Sequence, residues 1–333
     1  MTLGRLIARH LRNTTALPAV LLFFALLIIN SFFMPGALTR SFLVSFLNTN
    51  TAVICLTIGA SAVIIAGELD ISLGPMVSVA NVMLIKLLAA GVHPAAAVVT
   101  TVAATTAMGL LNGTLVAVLR GSSLLTTFAT STVYSGIALL VMPVPGGSVA
   151  RGMTSFYNSS FLGIPATVLF ILVPYLIWKI YKRTPHGIRL YASGNNPAKA
   201  YASGVNVQGE KLFAYGFAGF SAGIGAVALT SSIGAGDPLI GAQMSMMAIS
   251  AAVIGGVSLS GGYGDVTGGI FGSLFLGLIT VSVLSSNISS FLQQFVSGMI
   301  LLLGMIGAMI FTLRRGEKAS QGAQSEDGAA HGE

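Results

Sequence analysis

The sequence predicts an all-α polytopic membrane protein of about ten transmembrane helices. Three observations predict it. Apolar residues make up 54% of the 333 and charged residues only 8%, where soluble domains carry roughly 25% charged. The mean hydropathy is +0.88. The apolar residues also form continuous runs rather than the ten-residue alternation of a membrane barrel. A helix needs about 20 residues to cross the hydrocarbon core, and the chain has room for about ten such runs with short connections.

In order, the expected spans are 16–33, 47–66, 71–90, 94–119 and 123–142, then 161–181, 211–232, 243–259, 266–284 and 289–313. The first follows Arg5, Arg9 and Arg12, and its "LPAVLLFFALLII" is similar to a signal-peptide core; nine further spans make it an uncleaved helix. Cytoplasmic loops are rich in Lys and Arg. With the N-terminus inside, Arg120, Lys179, Lys182, Arg183, Arg189, Lys199, Lys211, Arg314, Arg315 and Lys318 join those first three arginines on the cytoplasmic side. Only Arg40 and Arg151 fall outside, with Lys86 near a span end. Both termini are therefore expected in the cytoplasm of a multi-pass membrane protein. This sidedness accounts for the net charge of +7 without a nucleic-acid partner, and membrane lipid is the expected surrounding. Residues 314–333, polar and small, read as a disordered cytoplasmic tail after a single transmembrane domain over 1–313.

Several chemistries are excluded. The lone Cys55 offers no disulfide framework. His10, His93, His186 and His331 are scattered, so no metal cluster is expected. The sequence has no G-x-x-x-x-G-K-[ST] loop and no H-E-x-x-H motif. No enzymatic role and no cofactor are expected, and ATP hydrolysis would require a separate chain. The four-residue spacings Gly219/Gly223 and Gly264/Gly268/Gly272 read as close helix packing.

Two segments stand apart. In "VIIAGELDISLGP" (63–75), two of the nine acidic residues, Glu68 and Asp70, lie at the cytoplasmic break between the second and third spans, bracketed by Gly67, Gly74 and Pro75. A carboxylate at a helix centre costs roughly 2.5–3.5 kcal/mol on insertion scales, and the break lowers that cost. Residues two apart on a helix point about 200° apart, which suits no acid–base pair. Asp70 or Ser72 can cap the third span; alternatively the segment serves as a gate or partner contact. The second segment is the long cytoplasmic loop at 182–210. Its Gly194, Asn195, Asn196 and Pro197 signal a turn, Asn196 suits a helix cap and Pro197 a first helical position. A short helix of small residues, with Ala198 and Ala200, then ends by Gly204. Such a helix is a docking knob for another protein.

Four segments in this order resemble the ribose-type, or simple-sugar, permease subunits of bacterial ABC importers, a superfamily that includes the branched-chain amino-acid permeases. "GELDISLGP" resembles the family's Gly-Gly-Ile-Asp-Leu-Ser-x-Gly at Gly67, Asp70, Ser72 and Gly74. "LNGTLVAVLRGSSLLTTFATSTVYSGIAL" is similar to its Asn-Gly and Thr-Leu-Gly region at Asn112, Gly113 and Thr127. "TPHGIRLYASGNNPAKAYASGVNV" resembles its coupling loop, and "GGVSLSGGYGDVTGGIFGSLFLG" the start of its ninth helix. Glu68 stands where Gly is commoner, and Tyr263 and Asp265 where Arg-Gly-Ser is usual.

The resemblance implies an ABC importer permease fold in the bacterial inner membrane. It implies partners: an ATP-binding cassette subunit, a periplasmic sugar-binding protein and a second permease copy or paralogue. Gly187, Arg189, Gly194, Asn195, Asn196, Ala198, Ala200 and Gly204 would form the ATPase-coupling loop, and Asn50, Asn81 and Asn112 are candidates for the substrate path. The cargo is then a simple sugar; a branched-chain amino-acid permease is the alternative, and a secondary transporter a more distant one.

Overall fold

The computed structural model describes residues 16–34, 36–161 and 163–285, together with 295, 298, 299 and 302. The chain up to Leu278 is one unit, and the residues from Ile279 belong to a second. All contacts below lie within the first.

Helix α1 (Leu17–Phe33) precedes α2 (Arg40–Ile65), which Thr39 caps by accepting the Phe42 N–H. The break at 66–72 separates α2 from α3 (Leu73–Ala89). Next come α4 (Pro94–Gly113), continued by a π-helical turn at Thr114–Val118, and α5 (Ser123–Val141). A short α6 (Arg151–Tyr157) and the antiparallel hairpin β1 (Ser160–Phe161) and β2 (Ile164–Pro165) lead into α7 (Thr167–Lys182). Two short helices, α8 (Pro185–Asn195) and α9 (Pro197–Ala202), precede α10 (Val207–Ile233), α11 (Met244–Ile254) and α12 (Val266–Ser285).

The core is built on α2 and α10. Every residue of α2 from Asn50 onward is buried, as expected of a helix that is apolar all round. Helix α10 packs chiefly against α4 and α2, α3 against α5, and α11 against α2. Gly109 of α4 and Gly219 of α10 bring two backbones into contact, and a Cβ on either would strike main-chain atoms of the other helix. Such small-residue seams hold helices together where lipid removes the hydrophobic drive between them. Peripheral α5 buries only Thr127, Tyr134 and Ala138, a single stripe, and turns Leu125, Phe128, Val133 and Leu140 outward.

A helix lies in each of the first nine expected spans; the tenth, 289–313, apart from residues 295, 298, 299 and 302, and the tail lie outside the described residues. Five described helices are long and apolar enough to cross a membrane by length and composition: α2, α4 with its π turn, α5, α10 and α12. Three expectations are corrected. The sixth span starts later, because the hairpin occupies 160–165 and α7 begins at Thr167. The eighth helix stops at Ile254, where Gly255 caps it and Gly256 takes φ +84°. Gly264 lies in the connector before α12, at φ +118°, and is no part of a helical stripe.

Candidate functional site

The break between α2 and α3 is a hub. Gly67 turns the chain at φ +81°, and Asp70, 2% exposed, folds its carboxylate over Ser72. Asp70 Oδ1 accepts the Ser72 N–H at 2.8 Å and the Ser72 hydroxyl at 2.6 Å. Asn112 of α4 donates to Ser72 Oγ at 2.7 Å, and Tyr134 of α5 donates to Asn112 Oδ1 at 3.3 Å. Thr127 of α5 accepts the Ile71 N–H at 3.2 Å, while Tyr215 of α10 donates to the Leu69 carbonyl at 3.2 Å. From α11, Ser245 Oγ accepts the Gly74 N–H at 2.7 Å and donates to the Ile71 carbonyl at 2.5 Å.

This corrects the capping expectation. Ser72 occupies the cap position of α3 but its side chain accepts no first-turn N–H. Asp70 holds the cap residue rather than the helix, and the first-turn N–H of Gly74 is taken by Ser245. Buried polar groups need partners, and here four other helices supply them. Asp70 Oδ2 is screened from solvent and has no hydrogen-bond partner among the described residues.

Helices α8 and α9 lie against the same break. Thr184 caps α8 through the Gly187 N–H at 3.4 Å, and Asn196 caps α9 through the Lys199 N–H at 3.0 Å. Gly194 and Asn195, expected in a turn, are the last residues of α8. Gly194 has no room for a side chain because it rests on the Ile65 carbonyl and the Gly262 N–H, which bond each other at 2.9 Å. Three distant stretches of chain thus meet at one point: the end of α2, the end of α8 and the connector before α12. Ala200 is buried under α9 at 6% exposed, so it belongs to no outward docking face. Arg189, Ala198 and Gly204 are exposed. The outward face instead carries Ile188, 71% exposed, and Tyr201, 77% exposed. The sequence held one signal for these two: bulky apolar residues in an otherwise polar, Gly- and Ala-rich loop.

Ion pairs tie this end together. Asp265 accepts Lys182 at 3.3 Å and Lys179 at 3.4 Å, with Trp178 Nε1 at 3.2 Å. Burial raises the Asp265 carboxyl, but the two lysines and Trp178 outweigh it and hold it below the ordinary carboxylate range. Glu210 accepts from the Tyr181 hydroxyl at 2.5 Å and lies 2.9 Å from His186 Nδ1. Glu68 pairs with Lys211. That pair borders a cleft of about 530 Å³ whose walls include Arg120, Tyr201, Asn206 and Gln208. Arg120 follows the π turn at φ +59°, a conformation unusual for a side-chain-bearing residue.

The three asparagines expected along a substrate path all have hydrogen-bond partners inside the fold. Asn50 donates to the Phe46 carbonyl at 2.8 Å and packs on Gly277. Asn81 donates to Thr230 at 2.9 Å and accepts the Asp237 N–H at 2.7 Å, pinning the connector after α10 to α3. Asn112 serves the break. All three are buried, and none lines the cleft beside Glu68 and Lys211. Among the described residues no group of His, Cys, Asp or Glu could hold a metal ion.

A family model described as the branched-chain amino acid transport system / permease component matches residues 42–305. The chain belongs to this permease family. The permease is 30% identical over 252 residues to the ribose import permease protein of Bacillus subtilis (strain 168), covering 74% of this chain and 78% of that one. It is 30% identical over 240 residues to the D-allose transport system permease protein of Escherichia coli (strain K12), covering 71% and 73%. With the autoinducer 2 import system permease protein of Escherichia coli O157:H7 it shares 32% over 302 residues, covering 87% and 85%. No solved structure matches. Two of the residues at which the permease departs from the ribose-type motifs, Glu68 and Asp265, are the acidic members of the ion pairs above.

Proposed function

We propose that this permease is the membrane-spanning subunit of an ATP-driven importer that carries a simple sugar, a pentose, hexose or related polyol, into the cytoplasm. In this reading it crosses the inner membrane ten times with both termini inside, as one domain over 1–313 with a cytoplasmic tail at 314–333. It pairs with a second permease copy or paralogue, takes its cargo from a periplasmic binding protein, and leaves ATP hydrolysis to an ATP-binding subunit. Ribose and D-allose, named in two relatives, are sugars. The description of the matching family favours a second reading, a branched-chain amino acid.

The observation that carries the coupling assignment is the wedge at Gly194. A partner pressing on Ile188, Arg189 and Tyr201 would push α8 against both the end of α2 and the connector into α12. The Asp70 break begins one turn beyond that contact. Closure of the ATP-binding subunits can therefore shift the inward and outward populations, by as much as their affinity for the two states differs.

Ile188→Asp with Tyr201→Asp tests the assignment, since neither side chain supports the permease's own core. Normal permease abundance is expected, with reduced co-purification of the ATP-binding subunit and lost ATPase stimulation by the loaded binding protein in liposomes. Parent-like stimulation would overturn it. Uptake of labelled D-ribose and D-allose against leucine decides the cargo, and leucine uptake alone selects the second reading.

A further inference from the structure

At the start of α2, far from the break, the helix presents a polar stripe. Arg40, Ser41, Ser45 and Asn48 occupy one face of its first three turns and, with Asn158 and Ser160 after α6, line a cleft of about 510 Å³. Among the described residues Val44 is the only apolar one in the lining. The cleft residues of α2 lie roughly 26–38 Å along the helix from Ile65 at the Gly194 wedge, at 1.5 Å per residue.

The walls are held from outside the cleft. Tyr157 donates to the Asn48 carbonyl at 2.5 Å, Asn158 Nδ2 donates to the Thr154 carbonyl at 3.0 Å, and Arg40 reaches the Gly163 carbonyl at 3.4 Å. Asn48 Nδ2 spans to Asn158 Oδ1 at 3.5 Å. That leaves Asn48 Oδ1, an acceptor screened from solvent with no partner among the described residues. An acceptor in that state is relieved by a donor, which a small rotation of the amide would bring to the cleft.

Ligand class follows from this inventory. A carboxylate offers acceptors only, and a hydrogen phosphate is mostly acceptor with a double or single negative charge, so either would be drawn to Arg40 and would match Asn48 Oδ1 poorly. A cation would be repelled by Arg40, and no carboxylate among the described residues lines the cleft to hold it. A hydroxyl both donates and accepts; a row of them matches three serines, two amides and a guanidinium together.

We propose that this cleft is a receiving subsite for an uncharged polyhydroxylated ligand, a sugar or sugar alcohol. Its place in transport rests on the importer reading above, in which this end of α2 faces outward and meets the cargo first. Affinity is expected to be weak, because the cleft is open and must release what it takes.

The test is saturation-transfer NMR on the full-length permease in lipid nanodiscs, with D-ribose, D-allose, leucine and inorganic phosphate as separate probes. The sugars should bind, leucine and phosphate should not, and Asn48→Leu should weaken sugar binding at least tenfold. Ser45→Ala, at an exposed position, should weaken it several-fold and covers the case in which Asn48→Leu fails to fold. Sugar signals unchanged in both variants, or phosphate or leucine binding as well as ribose, would overturn the subsite. Uptake by the complete transporter separates the two readings. Normal sugar uptake with no variant-sensitive sugar binding rejects the subsite alone. Variant-sensitive binding without sugar uptake upholds the subsite and rejects the importer reading.

Discussion

Asp70 shows what a single residue does here and how much of it the sequence discloses. Its position between Gly67 and Gly74 marks a helix break, and that was legible. Its duty toward Ser72, and the delegation of the Gly74 N–H to Ser245, was not, because Ser245 is remote in sequence and a lone Ser in an apolar helix gives no signal. The hydrogen bonds, rather than the charge, are what the break requires. Asp70→Asn keeps an acceptor for both Ser72 donors and should leave abundance and Tm close to the parent. Asp70→Leu leaves a buried N–H and hydroxyl unmet, a loss of about 1–3 kcal/mol each for unsatisfied groups, and should lower Tm clearly in detergent, followed through buried Trp178. Equal destabilisation by both substitutions would mean that the negative charge is needed. Asn50, Asn81 and Asn112 each find a backbone or side-chain partner inside the fold, and those partners were not legible in the sequence.

Among the elements, α9 was the more legible: Asn196-Pro197 is a cap-and-start pair, and the helix begins where that pair places it, whereas α8, which runs through the expected turn at Gly194 and Asn195, was not read from the loop. Which face they turn outward depends on α2 and the connector before α12, so burial of Ala200 and exposure of Tyr201 could not be read locally. Asp265 fastens that connector to α7 through Lys179 and Lys182, and this attachment is pH-dependent. The folded carboxyl lies below its ordinary value, so its stabilisation is complete above about pH 4 and is lost as pH falls through the folded value. The Tm difference between the parent and Asp265→Asn should thus be largest at neutral pH and shrink toward pH 3. A gap that widens on acidification would contradict the ion-pair account.

For the molecule as a whole, hydropathy was enough to locate a helix in each of the first nine expected spans, since bilayer thickness sets a length to look for, but not to fix their ends or to reveal the short helices α6 and α8. Their mutual arrangement was hidden in single glycines such as Gly109 and Gly219, whose partners no spacing rule names. Sidedness is the global property most open to test. On a Cys55→Ser background, Ala198→Cys should react with an impermeant thiol reagent only from the cytoplasm, and Ser148→Cys, at the far end of α3, only from outside. Both positions are exposed, whereas Ser193 is buried and would report poorly. Labelling of Ala198→Cys in intact cells would overturn the orientation. The meeting of Ile65, Gly194 and Gly262 also sets a schedule for biosynthesis. Gly262 leaves the ribosome about 200 residues after Ile65, roughly 10–40 s later at ordinary synthesis rates. Until then the end of α2 has been inserted without the chain that completes it, so the nascent permease spends much of its synthesis with its central junction unmade and exposed to insertases and quality-control proteases.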